Sequence, residues 1–336
     1  MKTLALLNSY SQGLSGGDKL FLDYAVNLTG KNNHKLTIIT SKLGRNLCQK
    51  HHINADYVIT SLENQFSHPV YTYTKRVVSS IIQLINKNFS FVHSSSDFLP
   101  DVLPAFFLKV KDPKCFWEQK IYHLIPKTRP LSYINQRISF YLIKLKADKI
   151  IVDNQSLKQE LQGHHSFPQT KVFLQIPQIN ISLINQSLPS KKVYTAVFLG
   201  QLRKSKGIFD LVDIWRQVVK TYPKAVLAII GQDINRNKEK LTKLISQHNL
   251  DKNIKILGFL PPQEVFGTIK SSGLLLLPSY EEGYGLVVDE AIACQARVVA
   301  YDLPVFRERF TQNKIHTVPQ GNTKIFSQKV MELINR

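Results

Sequence analysis

The sequence predicts two α/β domains, each built on a parallel sheet with helices packed against both faces. Three observations carry that expectation. At 336 residues the chain is long for one core and suits two domains of ordinary size. Short apolar runs such as Leu4–Leu7 and Leu274–Leu277 alternate along the chain with segments of helical period, the pattern of strands covered on both faces. The run 274–277 passes through Pro278 into the Gly-rich turn Glu281-Glu282-Gly283-Tyr284-Gly285, then into a helical segment from Leu286 to Ala296 and a strand at Arg297–Tyr301. This is one strand–turn–helix–strand unit, and ligands of such sheets bind at the carboxyl ends of the strands.

The first half opens with a strand at Leu4–Leu7, a polar loop containing Gly16-Gly17, a helix over Lys19–Leu28 and a strand over Lys35–Thr40, a Rossmann-like beginning. The loop is not Gly-x-Gly-x-x-Gly, so a dinucleotide site has little support. A helix is expected over Val77–Asn86, a short strand at Phe91–His93 and a helix over Leu99–Lys109 that tolerates Pro100 and Pro104. Next come a strand over Lys120–Pro126 that carries His123 at its end, a helix over Tyr133–Lys146 and a strand over Asp148–Asp153. Asn154 is placed to cap the following helix, and Val172–Ile176 forms another strand. Pro177–Pro189 is polar and aperiodic and reads as the linker, which divides the chain into domains of residues 1–180 and 190–336.

The second half repeats the plan. A strand over Val193–Leu199 leads into the loop Gly200-Gln201-Leu202-Arg203-Lys204-Ser205-Lys206-Gly207. Helices follow over Phe209–Thr221, Glu239–Gln247 and Glu264–Lys270, with strands at Ala225–Ile230 and Ile254–Leu257; Gly258 closes the latter. The helix of the Gly-rich turn is expected to rest on Leu286, Ile292 and Ala293. After Tyr301 come a helix from about Val305, a strand near His316–Val318 and a helix over Lys324–Ile334. Beyond the two similar halves there is no internal repeat.

Chemistry concentrates at the Gly-rich turn. Gly283 and Gly285 leave backbone N–H groups at a helix N-terminus, a ready site for phosphate, and Glu282 and Glu290 bracket it. The string Pro278-Ser279, Glu282-Gly283-Tyr284-Gly285-Leu286, Glu290-Ala291 resembles the signature of the retaining nucleotide-sugar glycosyltransferases of family 4. The spacing selects Glu282 rather than Glu281 as the family glutamate. The resemblance covers nearly the whole chain, strongly over 273–300 and weakly in the first domain. It implies the GT-B fold, two Rossmann-like domains facing an inter-domain cleft, the first binding the acceptor and the second the nucleotide sugar.

The same resemblance implies roles for single residues. Glu282 would meet sugar hydroxyls and Glu290 the ribose hydroxyls. Lys206 and Arg203, with the amides of Gly283, Tyr284, Gly285 and Leu286, would serve the donor phosphates, and backbone near Gly258 would hold the base. Gly16 and Gly17 would lie beside donor phosphates and acceptor, and His123 would face the donor sugar. Gln201 stands where the family has Arg and brings hydrogen bonds without charge. Gln295 replaces a usual Gly at the helix C-terminus, so a non-glycine residue must adopt the left-handed conformation; Arg297 replaces a usual Pro. Family members usually continue with helices that cross back to the first domain, and their absence after Ile334 implies a weaker clamp.

The expected reaction is transfer of a sugar, with retention, from a UDP- or GDP-sugar to a glycan or lipid-linked acceptor, as in cell-surface polysaccharide or glycoconjugate synthesis. No cofactor is expected beyond the donor itself, and no metal, because no His/Asp cluster has ligand spacing. Two other classes remain: a non-catalytic nucleotide-sugar-binding protein, for which Gln201 speaks, and another GT-B enzyme such as a sugar-nucleotide epimerase.

The net charge of +20 implies an anionic partner. Nucleic acid is disfavoured, since neither an aromatic-rich RNA motif nor zinc spacing is found. The remaining candidate is an anionic membrane face, contacted by the basic and aromatic residues of 106–149, among them Lys109, Lys120, Lys144, Trp117, Phe140 and Tyr141. No apolar run approaches the ~20 residues of a membrane span, the N-terminus lacks a signal-type apolar core, and Cys48, Cys115 and Cys294 form no disulfide framework. The expected location is therefore cytoplasmic, peripheral on the inner face of the membrane.

Overall fold

The computed structural model describes residues 2–11, 13–30, 35–63, 68–234, 236–310 and 314–335. Its contacts divide the chain into two compact units, the bulk of one being Gly16–Pro177 and of the other Gln178–Arg336.

The first unit runs β1 (Lys2–Leu7), α1 (Gly16–Thr29), β2 (Lys35–Thr40), α2 (Lys42–Lys50), β3 (Asp56–Ile59), α3 (Pro69–Leu84), β4 (Phe91–Ser94), α4 (Leu99–Lys111), β5 (Phe116–Lys120), α5 (Pro130–Lys146), β6 (Lys149–Val152), α6 (Gln155–Gly163) and β7 (Val172–Leu174). Its parallel sheet has the order β3-β2-β1-β4-β5-β6-β7, so the topology reverses between β1 and β4. Asn154 caps α6 as expected, its side-chain oxygen accepting from the Leu157 amide at 2.7 Å. Helix α2 and strand β3 were not expected from sequence. Ser41 caps α2, a nine-residue helix on which Leu43, Leu47 and Cys48 recur at helical spacing.

Strand β5 corrects a second expectation. It occupies Phe116–Lys120 rather than Lys120–Pro126, and His123 lies in the loop beyond its end. Charged residues at core positions hid the true strand. Glu118 pairs with His93 at 3.0 Å and with Lys149 at 2.9 Å, and Lys120 pairs with Asp153 in a buried contact. A buried pair is weak evidence of net stability, but breaking one leaves an uncompensated charge. Lys120→Met is thus expected to destabilise this unit by about 3–5 kcal/mol. Denaturant melts of the full chain, followed through Trp117 fluorescence, measure it; an unchanged midpoint would show that Asp153 finds another partner.

The aromatic residues assigned to a membrane face divide in the same way. Trp117 and Phe140 are core residues, with Phe106 and Phe107 packed against them. Lys109 is bound to Asp148 and to the Pro113 and Cys115 carbonyls. Much of 106–149 is therefore interior structure rather than a contact surface.

The second unit runs α7 (Ile181–Gln186), β8 (Ala196–Leu199), α8 (Asp210–Thr221), β9 (Leu227–Ile230), α9 (Asn237–Gln247), β10 (Ile254–Gly258), α10 (Pro262–Ser272), β11 (Leu274–Leu277), α11 (Leu286–Ala293), β12 (Arg297–Tyr301), α12 (Pro304–Arg309), β13 (His316–Val318) and α13 (Thr323–Ile334). The sheet order is β10-β9-β8-β11-β12-β13, all parallel. The stretch read as a linker contains α7, whose Ile184 is buried in the core. The Lys270 ammonium donates to the Ile184 and Ser187 carbonyls at 2.6 and 2.8 Å, which fixes this segment to α10.

Helix α11 packs chiefly through Val288 and Ala291, followed by Cys294, with the expected Ile292 and Ala293 partly buried against the same cluster; Leu286 is not part of it. The spacing of three keeps Val288, Ala291 and Cys294 on one face, over the sheet. Gln295 takes the left-handed φ of 61° expected of it. Cys48, Cys115 and Cys294 are all free and buried, and burial pushes their thiols up to about 12, 11 and 11 respectively. No helix among the described residues is long and apolar enough to cross a membrane.

Candidate donor and sugar site

In the second unit the topology reverses between β8 and β11, which pair directly through Val197 and Leu275. An open parallel sheet offers its ligand crevice at such a switch point, outside the carboxyl ends of the strands. The loop after β8 carries Gln201 to Gly207, and the loop after β11 carries Ser279 to Gly285. The two stretches singled out in the sequence therefore leave adjacent strands side by side.

Their contact is close. The Lys206 ammonium lies 2.8 Å from a Glu282 carboxylate oxygen and 3.3 Å from the Glu281 carbonyl oxygen. The Tyr280 amide donates to the Ser205 carbonyl at 2.8 Å. Gly207, at φ +68°, sits so near the other loop that a Cβ there would come within 1.9 Å of the Pro278 carbonyl oxygen. Glycine is required here twice, for its left-handed backbone and for the approach. Lys206 thus arrives already neutralised by Glu282, and an incoming diphosphate would compete for the same ammonium.

The glycines of the turn then aim α11. Gly285 is its N-cap at φ +80°, and a Cβ there would meet the Phe306 ring at 2.7 Å. Helix N-termini favour anions through the oriented backbone dipoles and N–H groups of the first turn. Glu290 is buried one turn into the helix. Arg309, which nothing in the sequence marks, staples the turn: its guanidinium donates to the Tyr284 carbonyl and to Asp289, and stacks 3.3 Å from the Tyr284 ring centre. Asp210 is a second unmarked anchor, accepting from Tyr280 at 2.7 Å and from Tyr301 at 2.6 Å. The Ser279 hydroxyl, inside the signature, is buried with no hydrogen-bond partner among the described residues.

Gln201 is buried at the start of the β8 loop, and its carbonyl accepts from the Arg203 amide at 2.8 Å. Gly258 closes β10 at φ +75° with open space around it, two strands away from β8 in the sheet order. Its carbonyl accepts from the Gly231 amide at 2.8 Å, and Gly231 in turn lies against the Gly200 carbonyl at the end of β8.

The remaining candidates lie in the first unit. Gly16 opens α1. Gly17 is covered by Tyr122, whose hydroxyl donates to the Gly17 carbonyl at 3.1 Å and whose ring a Cβ would touch at 3.0 Å. Tyr122 precedes His123, so the Gly-Gly turn and the histidine loop are joined. The buried Gln136 holds that loop: its side-chain oxygen accepts from Ile125 at 2.9 Å, and its amide donates to the His123 carbonyl at 2.8 Å and to Asp97 at 2.6 Å. Burial pushes the Asp97 carboxyl up to about 6. Among the described residues no group of three His, Cys, Asp or Glu is placed to hold a metal.

Residues 181–336 match the family model described as Glycosyl transferases group 1. The chain is 29% identical over 149 residues to the processive diacylglycerol alpha-glucosyltransferase of Acholeplasma laidlawii, covering 44% of this chain and 42% of that protein. It is 29% identical over 166 residues to an uncharacterised glycosyltransferase of Methanocaldococcus jannaschii, covering 46% of this chain and 40% of that protein. The chain thus spans under half the length of these relatives. Two solved structures cover 99% of it and are themselves covered to 90%: sucrose-phosphate synthase of Thermosynechococcus elongatus, at TM-score 0.75 and 15% identity, and Anabaena HepE in complex with UDP and glucose, at TM-score 0.77 and 15% identity. These likenesses show the fold, GT-B with two Rossmann-like α/β domains.

Proposed function

We propose, from the match of residues 181–336 to the family model described as Glycosyl transferases group 1, that the whole chain is a retaining glycosyltransferase. It moves a sugar from a UDP- or GDP-sugar to a glycan or lipid-linked acceptor, in the synthesis of a cell-surface polysaccharide or glycoconjugate. The observation that carries this reading is the Lys206–Glu282 pair, which joins the two signature loops at the switch point. HepE, described in complex with UDP and glucose, makes UDP-glucose the first donor to try.

The chemistry asks for stabilisation of a departing diphosphate and of positive charge growing on the sugar ring. Lys206 and the first turn of α11 meet the phosphates. Glu282, released when Lys206 turns to the diphosphate, meets sugar hydroxyls. Glu290 meets the ribose, and His123 faces the sugar from the first domain. Fixed positive charge and oriented amides supply what a metal would otherwise supply. Incubation of the metal-free chain with a panel of UDP- and GDP-sugars in EDTA tests this reading. Release of nucleoside diphosphate from one donor is expected; activity that appears only on adding Mg²⁺ or Mn²⁺ would contradict the site, and inertness toward every donor would favour a binding protein.

Glu290→Gln is a finer test. It keeps the shape of a buried side chain and removes the acceptor pair that holds two ribose hydroxyls. Donor affinity is expected to fall about tenfold to a hundredfold, the cost of losing one to two hydrogen bonds to a charged group. Calorimetric titration with the preferred donor reads it, with unchanged melting as the control; unaltered affinity would take Glu290 out of the site.

A further inference from the structure

Helix α5 exposes an apolar stripe. Leu131, Ile134, Ile138, Tyr141 and Leu145 recur at spacings of three and four and are each between 48% and 63% exposed. The opposite face, Gln136, Ser139, Phe140 and Ile143, is buried against the sheet. Helix α4 packs between α5 and α3. It exposes Val110, and α3 exposes Tyr71, Val78 and Ile82 away from its own buried side. Exposed apolar side chains therefore stand on all three helices of this layer, most densely along α5. A cluster of exposed apolar side chains such as the α5 stripe marks an interaction site.

Charge selects the occupant. From Gln119 to Ala147 the chain contains no Asp or Glu but six Lys and Arg residues. Exposed Lys127 and Arg129 stand at the N-terminal end of the stripe and Lys146 at its C-terminal end. From Asn64 to Ser96 there is again no carboxylate. On α4, Asp101 is buried, and Asp148, which follows α5, is taken by Lys109. A second copy of the chain packed on this face would set basic ends against basic ends, with only the half-exposed Asp112 at the C-cap of α4 to offset them, a repulsive arrangement. An anionic bilayer meets both requirements, headgroups for the basic ends and acyl chains for the aliphatic stripe.

We propose that the α3–α4–α5 face of the first unit is a docking surface for anionic phospholipid bilayers, with the α5 stripe lying in the interface. The surface is helical and mainly aliphatic; of the aromatic residues that the sequence pattern points to, it keeps Tyr141. The inference does not rest on the glycosyltransferase reading.

The test is flotation of the full-length chain with vesicles of phosphatidylcholine mixed with phosphatidylglycerol, and with phosphatidylcholine alone. Binding to the anionic vesicles only, weakening as salt rises, is expected. Lys127→Glu with Lys146→Glu should lower the partition coefficient at least roughly thirtyfold, since each basic residue near the surface contributes about a factor of five. Ile134→Asp with Ile138→Asp should abolish binding. Both pairs are exposed, so circular dichroism and donor titration should match the parent chain. Equal binding to both vesicles, or to neither, overturns the proposal. So does a dimer in light scattering that Ile134→Asp with Ile138→Asp dissociates. Vesicle binding by a chain inert toward every donor would leave the surface standing and remove only the enzyme reading.

Discussion

Glu282→Ala is expected to lower turnover by about a hundredfold to a thousandfold, the usual cost of removing one preorganised group that acts on developing charge. Lys206→Ala should cost a similar amount, but chiefly through weaker donor binding, because its charge is met by phosphate in the ground state as well. The ion pair between them makes the two effects interdependent. Deleting Glu282 leaves Lys206 without its carboxylate partner at the mouth of the β8 loop, free to bind the diphosphate without first exchanging partners. The alanine variant should therefore bind donor at least as tightly as the parent while turning it over far more slowly. The double substitution should cost less than the sum of the two, since contacting residues do not act additively. Steady-state kinetics on the four proteins with one donor measure this. Full activity of Glu282→Ala would end its assignment; strictly additive effects would mean that the pair does not operate as a unit.

Gly207→Ala is expected to be among the most damaging single-methyl additions in the second unit. The left-handed backbone alone costs about 1–2 kcal/mol for a residue with a Cβ. The new carbon would also fall 1.9 Å from the Pro278 carbonyl oxygen, so the β8 and β11 loops must separate. A total of about 3–4 kcal/mol places the substitution among the severe ones. Because the spreading pulls Lys206 from Glu282, activity should fall even at temperatures where the variant is folded. Gly163→Ala is the control: it has open space at the Cβ position and should be neutral or slightly stabilising. Differential scanning calorimetry with the donor assay at low temperature separates the two consequences. A Gly207→Ala protein that melts like the parent would show that the loops are not held as closely as drawn.

The second unit was legible in the sequence because its strands are short continuous apolar runs, and every strand expected there exists. Leu274–Leu277 and the glycines after it carry a pattern that only one local structure satisfies. The first unit was harder to read where polar groups occupy core positions. Glu118 and Lys120 sit in a central strand because each has a buried partner from elsewhere in the chain, and no local pattern reports such a partner. Helix α7 was lost for another reason: its six residues, with Ile181, Leu183 and Ile184, are too few to show a helical period, and the anchor of the segment, Lys270, lies far along the chain. Within the site the same division holds. The glycines and glutamates have a spacing that can be recognised. Arg309, Asp210 and Gln136 hold the loops through side-chain contacts to residues outside their own elements and leave no local trace.

The three buried thiols make the chain convenient for optical work. A thiol must ionise to react with a maleimide, and burial here both shields the sulfur and raises the pH at which it would ionise. With Cys48, Cys115 and Cys294 all so placed, the native protein should take up almost no dye at neutral pH. A cysteine introduced at an exposed position on each unit would then be labelled selectively, with no need to remove the natural ones. Energy transfer between two such dyes would follow the separation of the units in solution as donor is added.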